Sequence, residues 1–253
     1  MSVAIDFSGK DALVTGASRG LGAATARVLH AAGCRVALNH PGTDETHAET
    51  EAIAADLNAT RVDSARAVAC DVSDADAVQA MMAGLKTAWG GIDFLINNAG
   101  IIRDRTLAKM SREEWRAVMS VNLDGVFYTS QHGLEVMRDG GAIVSLGSIA
   151  GIVGFFGQAN YAASKAGVMA MMRVLGRECA GRSIRANAVA PGVAETPMAA
   201  TIPEAVRTDM LKQIPLDRFG TPQEIANVVL FLCSPLASYV TGQTIEVNGG
   251  WRG

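Results

Sequence analysis

Apolar residues along this chain come in short blocks separated by longer amphipathic stretches. "ALVTG" (12–16) reads as a buried strand ending in a glycine turn, and "LGAATARVLHAAG" (21–33) as a helix that stops at Gly33. "RVALN" (35–39) is a second strand, followed by a helical stretch from Asp44 to Ala59. "ARAVACDV" (65–72), "IDFLINNAG" (92–100), "GAIVSLGS" (141–148), "IRANAVAPG" (184–192) and "GQTIEVNGG" (242–250) are further strands. Between them lie helical patterns at 74–90, with Ser73 as its N-cap, and at 111–137, read as one long helical region. A helix holding Tyr161 and another at 221–234 complete the set. Ser111 with Glu114, and Thr221-Pro222 with Glu224, carry the side chains of a capping box.

This alternation predicts an α/β fold: one doubly wound, Rossmann-type domain over 1–253, with a parallel seven-stranded sheet and helices on both faces. In such folds ligands bind beyond the carboxyl ends of the strands. Gly16, Asp71, Asn98, Ser148 and Pro191 all follow strands directly.

Composition narrows the function. The chain has 253 residues, a formal net charge of −3 and no long run of Lys or Arg, which argues against a nucleic-acid partner. Its apolar runs fall short of the ~20 residues that span a bilayer, and no secretory leader is visible, so a cytoplasmic protein is expected. The four cysteines form no CxxC pair, and neither they nor the four histidines have metal-ligand spacing, so no metal is expected.

"TGASRGLG" (15–22) joins the first strand to the first helix. Its spacing, Gly16-x3-Gly20-x-Gly22, differs from G-x-G-x-x-G, but the physics is shared. Glycines allow a tight turn and close backbone approach to a pyrophosphate, and the helix start offers free N–H groups. Ser18, Arg19 and the backbone at Leu21 join this candidate site. The acid that would bind a ribose 2′-hydroxyl is missing at the end of the second strand, where Asn39 and His40 stand; Asp44 and Glu45 lie further along. NADP(H) is therefore favoured, with NAD(H) the alternative, and Arg19 and His40 are expected near the 2′-phosphate.

Tyr161 and Lys165, one helical turn apart in "NYAASKAG", are the candidate acid-base pair. With "TGASRGLG", "CDV" (70–72), "NNAG" (97–100), "VNL" (121–123), "SLGS" (145–148), "YAASK" (161–165), "APG" (190–192) and "VNGG" (247–250), the chain resembles the short-chain dehydrogenase/reductase family. The likeness is strongest to its 3-oxoacyl-acyl-carrier-protein reductase and acetoacetyl-CoA reductase group, through "NNAGIIRD" and "GFFGQANYAASKAG". That resemblance implies hydride exchange between a nicotinamide and a ketone or secondary alcohol, with Tyr161 as acid-base group. Lys165 would lower the tyrosine's pKa and hold the nicotinamide ribose; Ser148 would bind the substrate oxygen; Asn122 would hold a relay water. It further implies Asp71 and Val72 near the adenine, Asn98, Ala99 and Gly100 along the ribose, Pro191, Gly192 and Val193 by the nicotinamide, Thr196 near its amide or the phosphates, and a homotetramer.

The substrate is less defined. Residues 193–220 match a substrate lid, with Met198, Ile202, Met210 and Leu211 as an apolar cover, and Phe155 and Phe156 would line the pocket mouth. A 3-oxoacyl thioester is the leading substrate. A small cyclic, sugar or steroid-like secondary alcohol is the alternative, and a non-catalytic dinucleotide sensor a remote one. Arg182 matches a residue that meets an acidic carrier protein, but Asp139 stands where a second cation is expected.

Overall fold

The apolar blocks pair into one sheet. The computed structural model describes residues 5–197 and 199–251. Its strands are β1 (Asp11–Val14), β2 (Arg35–His40), β3 (Ala65–Ala69), β4 (Ile92–Asn97), β5 (Met137–Leu146), β6 (Arg185–Pro191) and β7 (Thr244–Val247), all parallel in the order β3-β2-β1-β4-β5-β6-β7. Central strands are buried along their whole length, as a sheet covered on both faces requires.

The helices are α1 (Gly20–Ala31), α2 (Asp44–Thr60), α3 (Ala75–Trp89), α4 (Arg112–Met119), α5 (Gly125–Val136), the single turn α6 (Ala150–Val153), α7 (Ala159–Glu178), α8 (Glu204–Leu211) and α9 (Pro222–Cys233). One apolar cluster lies between the sheet and the α1, α2, α9 layer; a second lies under α3, α5 and α7. The capping boxes at Ser111/Glu114 and Thr221/Glu224 both form. At the base of the sheet the buried carboxylates Asp11 and Asp93 are paired with Lys10, Arg35 and Arg138, the pairing that buried charge demands.

Three local expectations change. Asp74, not Ser73, caps α3; its carboxylate accepts from Ala77 N–H, while Ser73 donates to Asp71. The long helix at 111–137 is interrupted by a π-helical turn at Ser120–Asp124, and Gly125 N–H reaches back five residues to the Ser120 carbonyl. β5 begins at Met137 rather than Gly141, because polar "RDGG" runs into it through an irregularity against β4.

The sheet order reverses between β1 and β4. In doubly wound sheets ligands bind beyond the carboxyl ends of the strands at such a reversal, which makes the loops after β1 and β4 the place to look for a site.

Candidate active site

The loop after β1 turns through Gly16 and Gly20, both with positive φ, 61° and 58°. Gly16 and Gly22 serve close packing. A methyl at Gly16 would sit 2.8 Å from Ala99 Cα, and one at Gly22 would collide with the Gly16 carbonyl. The loop is braced from behind. Thr15 Oγ1 accepts from Asn98 and Ala99 N–H, both at 3.0 Å, and Asn98 Nδ2 donates to the Thr15 and Gly16 carbonyls, both at 2.9 Å. The Asn98 side chain is thus a strut. Thr15, absent from the sequence reading, is its counterpart.

Helix α1 opens with no side-chain cap and no acid in its first turn. Its first N–H groups are therefore available to an anion. Gly20 is open above, with the Thr196 methyl 3.6 Å from where a Cβ would stand. This uncapped, acid-free start under a glycine turn fits a pyrophosphate. Ser18, Arg19 and Leu21 flank it.

The π-helical turn carries Asn122 inward, fully buried. Its Oδ1 accepts from Ile101 N–H at 2.8 Å, and its Nδ2 donates to the Ile101 carbonyl at 3.0 Å and to Ser164 Oγ at 3.3 Å. The side chain clamps the segment after β4. A helical pattern does not distinguish this wide turn from an α-helix. A methyl at Gly100 would lie 3.4 Å from Asn122 Oδ1 and 3.6 Å from Lys165 Nζ, which brings Gly100, Asn122 and Lys165 together.

Helix α7 is anchored at its start by buried Asn160, which donates to the Arg103 and Glu114 carbonyls and accepts from Tyr161 N–H. Tyr161 is half-buried and Lys165 almost fully so. Lys165 Nζ lies 5.7 Å from the Tyr161 ring centre and donates to the Leu146 carbonyl at 2.7 Å. Burial pushes the Lys165 ammonium down to about 8. The Tyr161 phenol moves up, not down as expected from its cationic neighbour. Loss of water is the largest cause; the nearby Ser148 hydroxyl opposes it, and Asp104 adds to the rise. Ser148 Oγ also accepts from Ala150 N–H at 3.1 Å, which fixes it just past β5. The structure thus joins Asn122, Ser148, Tyr161 and Lys165, and adds Ile101, Leu146 and Ser164 as their supports.

The end of β2 differs from expectation. Asn39 and His40 are both buried. Asn39 Oδ1 accepts from Gly16 N–H at 3.3 Å and its Nδ2 donates to the Val68 and Cys70 carbonyls. His40 Nδ1 accepts from Gly42 N–H, and its Nε2 faces His47 Nδ1 at 3.4 Å. Burial, with His47 beside it, lowers the His40 pKa, so the ring stays neutral and turned inward. It does not offer the exposed cation that a 2′-phosphate needs. Arg19 does, but α2 brings Glu45 to 3.2 Å and Glu49 to 3.4 Å of it. Helix geometry carries these acids back to the site, which linear distance concealed.

Asp71 is exposed and turns onto Ser73, and Val72 packs under Gly125. Pro191 accepts from Ile149 N–H, Gly192 N–H donates to Val247, and Val193 exchanges backbone contact with Gly220. The segment 193–220 holds a short helical turn and α8. Met198 lies outside the described residues. Ile202 is half-buried, and Met210 and Leu211 pack on a small cluster of Ile149, Ile214, Phe219 and Trp251. Phe155 joins that cluster, its ring 5.1 Å from Trp251. Phe156 is 92% exposed and lines nothing in the chain itself. Arg182 donates to Asp139 at 2.8 Å and to the Leu134 and Met137 carbonyls.

A family model described as enoyl-(acyl carrier protein) reductase matches residues 16–252. The chain is 46% identical over 243 residues to 3-oxoacyl-(acyl-carrier-protein) reductase FabG of Staphylococcus aureus, covering 95% of this chain and 97% of that one. It is 43% identical over 249 residues to the protein of the same name from Thermotoga maritima, covering 96% and 98%. A crystal structure of a short-chain dehydrogenase/reductase, titled glucose/ribitol dehydrogenase, from Brucella melitensis superposes with a TM-score of 0.93 at 37% identity, covering 99% of this chain and all of that one.

Proposed function

This chain belongs to the short-chain dehydrogenase/reductase family of NAD(P)-dependent oxidoreductases, and from that premise we propose that it reduces the ketone of a 3-oxoacyl thioester to a secondary alcohol. The observation that carries the reading is the Tyr161 ring with the buried Lys165 ammonium 5.7 Å from its centre, and Ser148 fixed just past β5. The nicotinamide, when bound, supplies the hydride. Ser148 donates to the substrate oxygen and orients it. Tyr161, kept protonated by burial, gives that oxygen its proton. Lys165 holds positive charge beside the phenol as charge develops. Asn122 fixes the wall behind them through Ile101. Residues 1–253 are read as one domain with 193–220 as its substrate lid.

Turnover of acetoacetyl-CoA with NADPH and with NADH tests this. Conversion to the 3-hydroxyacyl thioester supports it; turnover confined to cyclic or sugar alcohols would replace it with the alternative substrate class. A thioester on coenzyme A is the better-matched form of substrate. The Arg182 guanidinium is already bound by Asp139 and two carbonyls, so it presents little free charge to an acidic carrier.

We further propose NADP(H) as the cofactor, held by Arg19 in competition with Glu45 and Glu49. A 2′-phosphate must displace these acids from the guanidinium. Replacing Arg19 with Ala is expected to weaken NADPH binding about tenfold or more while NADH binding changes little, since a charge-assisted bond is worth about 1.5–3 kcal/mol. Glu45→Gln is expected to tighten NADPH several-fold. Nucleotide titrations by fluorescence measure both; unequal loss of NADH instead would assign Arg19 to the pyrophosphate.

Self-association into a tetramer is proposed on the apolar side chains left exposed on α4, α5 and α7, Trp115, Phe127 and Val174. A cytoplasmic setting is proposed on the four free, buried cysteines. Among the described residues no helix is long and apolar enough to cross a membrane.

A further inference from the structure

Trp251, near the end of the chain, is 2% exposed. Its indole Nε1 is buried and has no hydrogen-bond partner among the described residues. Such a donor is rare. Buried tryptophan N–H groups find an acceptor, because leaving one unmade costs about 1–3 kcal/mol.

The ring packs next to the loop that carries Ser148. It packs in one cluster with Ile149, which directly follows Ser148, with Phe155 and Val193, and with Met210 and Leu211 of the lid. Its backbone is held firmly. Trp251 N–H donates to the Asn248 carbonyl, and Asn248 Nδ2 donates back to the Trp251 carbonyl at 2.8 Å. Asn248 in turn lies against Gly192, where an added Cβ would come within 2.9 Å of its Cα. Trp251 is therefore fastened to the segment after β6, and the indole is set where the Ser148 loop, that segment and α8 meet.

Resting on the thioester reading above, we propose that Trp251 is a specificity-determining residue whose indole N–H donates to a second acceptor oxygen of the substrate. A 3-oxoacyl thioester carries two carbonyls. Ser148 and Tyr161 serve the one that is reduced. The thioester carbonyl is an acceptor only, and it enters an apolar cluster in which the indole N–H is the unpaired donor. A ketone without a second carbonyl leaves that donor orphaned, so the protein discriminates by the bond it cannot otherwise make. Parting of α8 from the cluster gives the oxygen access.

The test compares three substrates in the full chain with bound nucleotide: acetoacetyl-CoA, ethyl acetoacetate and 2-heptanone. The last two match in chain length and differ in the second carbonyl. Trp251→Phe keeps the ring and removes the donor. The expected result is about a tenfold rise in KM for both dicarbonyl substrates, with kcat retained and 2-heptanone unaffected, the size of one neutral hydrogen bond. An equal rise for all three, or for none, overturns the proposal and leaves Trp251 a packing residue. A second reading needs no variant. Among the indole N–H resonances of the three tryptophans, that of Trp251 is expected to move on adding ethyl acetoacetate and not on adding 2-heptanone. Movement with neither overturns the proposal. Wild-type protein inert toward all three substrates removes the functional reading, and the inference with it.

Discussion

Tyr161→Phe is expected to lower kcat for ketone reduction by about a thousandfold, in the range assigned to a positioned acid, while nucleotide affinity stays within about twofold. The substitution deletes the hydroxyl and nothing else. The ring keeps its place on α7, where Asn160 anchors the helix start and Lys165 lies one turn on. The hydroxyl lost is the one whose acidity the nearby Ser148 influences. Stability should fall by no more than about 1 kcal/mol, the usual value of one hydrogen bond. The measurement is steady-state kinetics beside nucleotide titration on the same preparation. Retained turnover would remove Tyr161 from the chemistry and, with it, the mechanism proposed.

The raised phenol also sets a direction. Reduction needs the protonated form, which burial favours, so its rate is expected to be level through neutral pH and to fall only in alkali. Oxidation of the alcohol needs the phenolate, so its rate is expected to climb with pH across the same range. The two profiles, measured on one substrate pair, test the sign of the shift. A fall of oxidation rate with rising pH would contradict it.

Much of this frame is legible in the sequence because strands buried on both faces need an apolar run, and β1, β2, β4 and β6 each carry one: ALV, VAL, FLI and AVA. The capping boxes are readable because both partners sit at fixed spacing. The features missed share one cause: they depend on what lies across space. Glu49 meets Arg19 only once α2 folds back on the phosphate loop. His40 ends β2 where a ligand residue is expected, yet its ring turns inward onto Gly42 and His47. The π-helical turn leaves the apolar period of 111–137 almost unchanged while turning Asn122 onto Ile101. Trp251 belongs to no periodic element, and its meaning comes from Phe155 and Val193.

Lys165→Met is expected to abolish activity and to change the pH dependence of stability. Lys165 is 4% exposed, and burial holds its pKa at about 8 against an ordinary value of 10.5. The folded pKa is the lower one, so between about 8 and 10.5 the unfolded chain binds more protons than the folded chain. Folding stability of the wild type therefore gains from rising pH in that window, and below about 8 the whole penalty of burying the charge is present. That penalty is about 3 kcal/mol at neutral pH. Methionine fills a similar volume without charge and carries no such term, though it leaves the Leu146 carbonyl without its donor, a loss of about 1–3 kcal/mol at every pH. The absolute change at neutral pH is then a near balance, while the difference between variant and wild type has a definite slope. From pH 7.5 to pH 10.5 the wild type is expected to gain about 3 kcal/mol relative to Lys165→Met. Urea unfolding of both proteins across that range reads the difference directly, since every other titrating group is shared. A difference that stays constant with pH would mean that Lys165 keeps an ordinary pKa in the fold. The poised cation beside Tyr161 would then owe nothing to its burial.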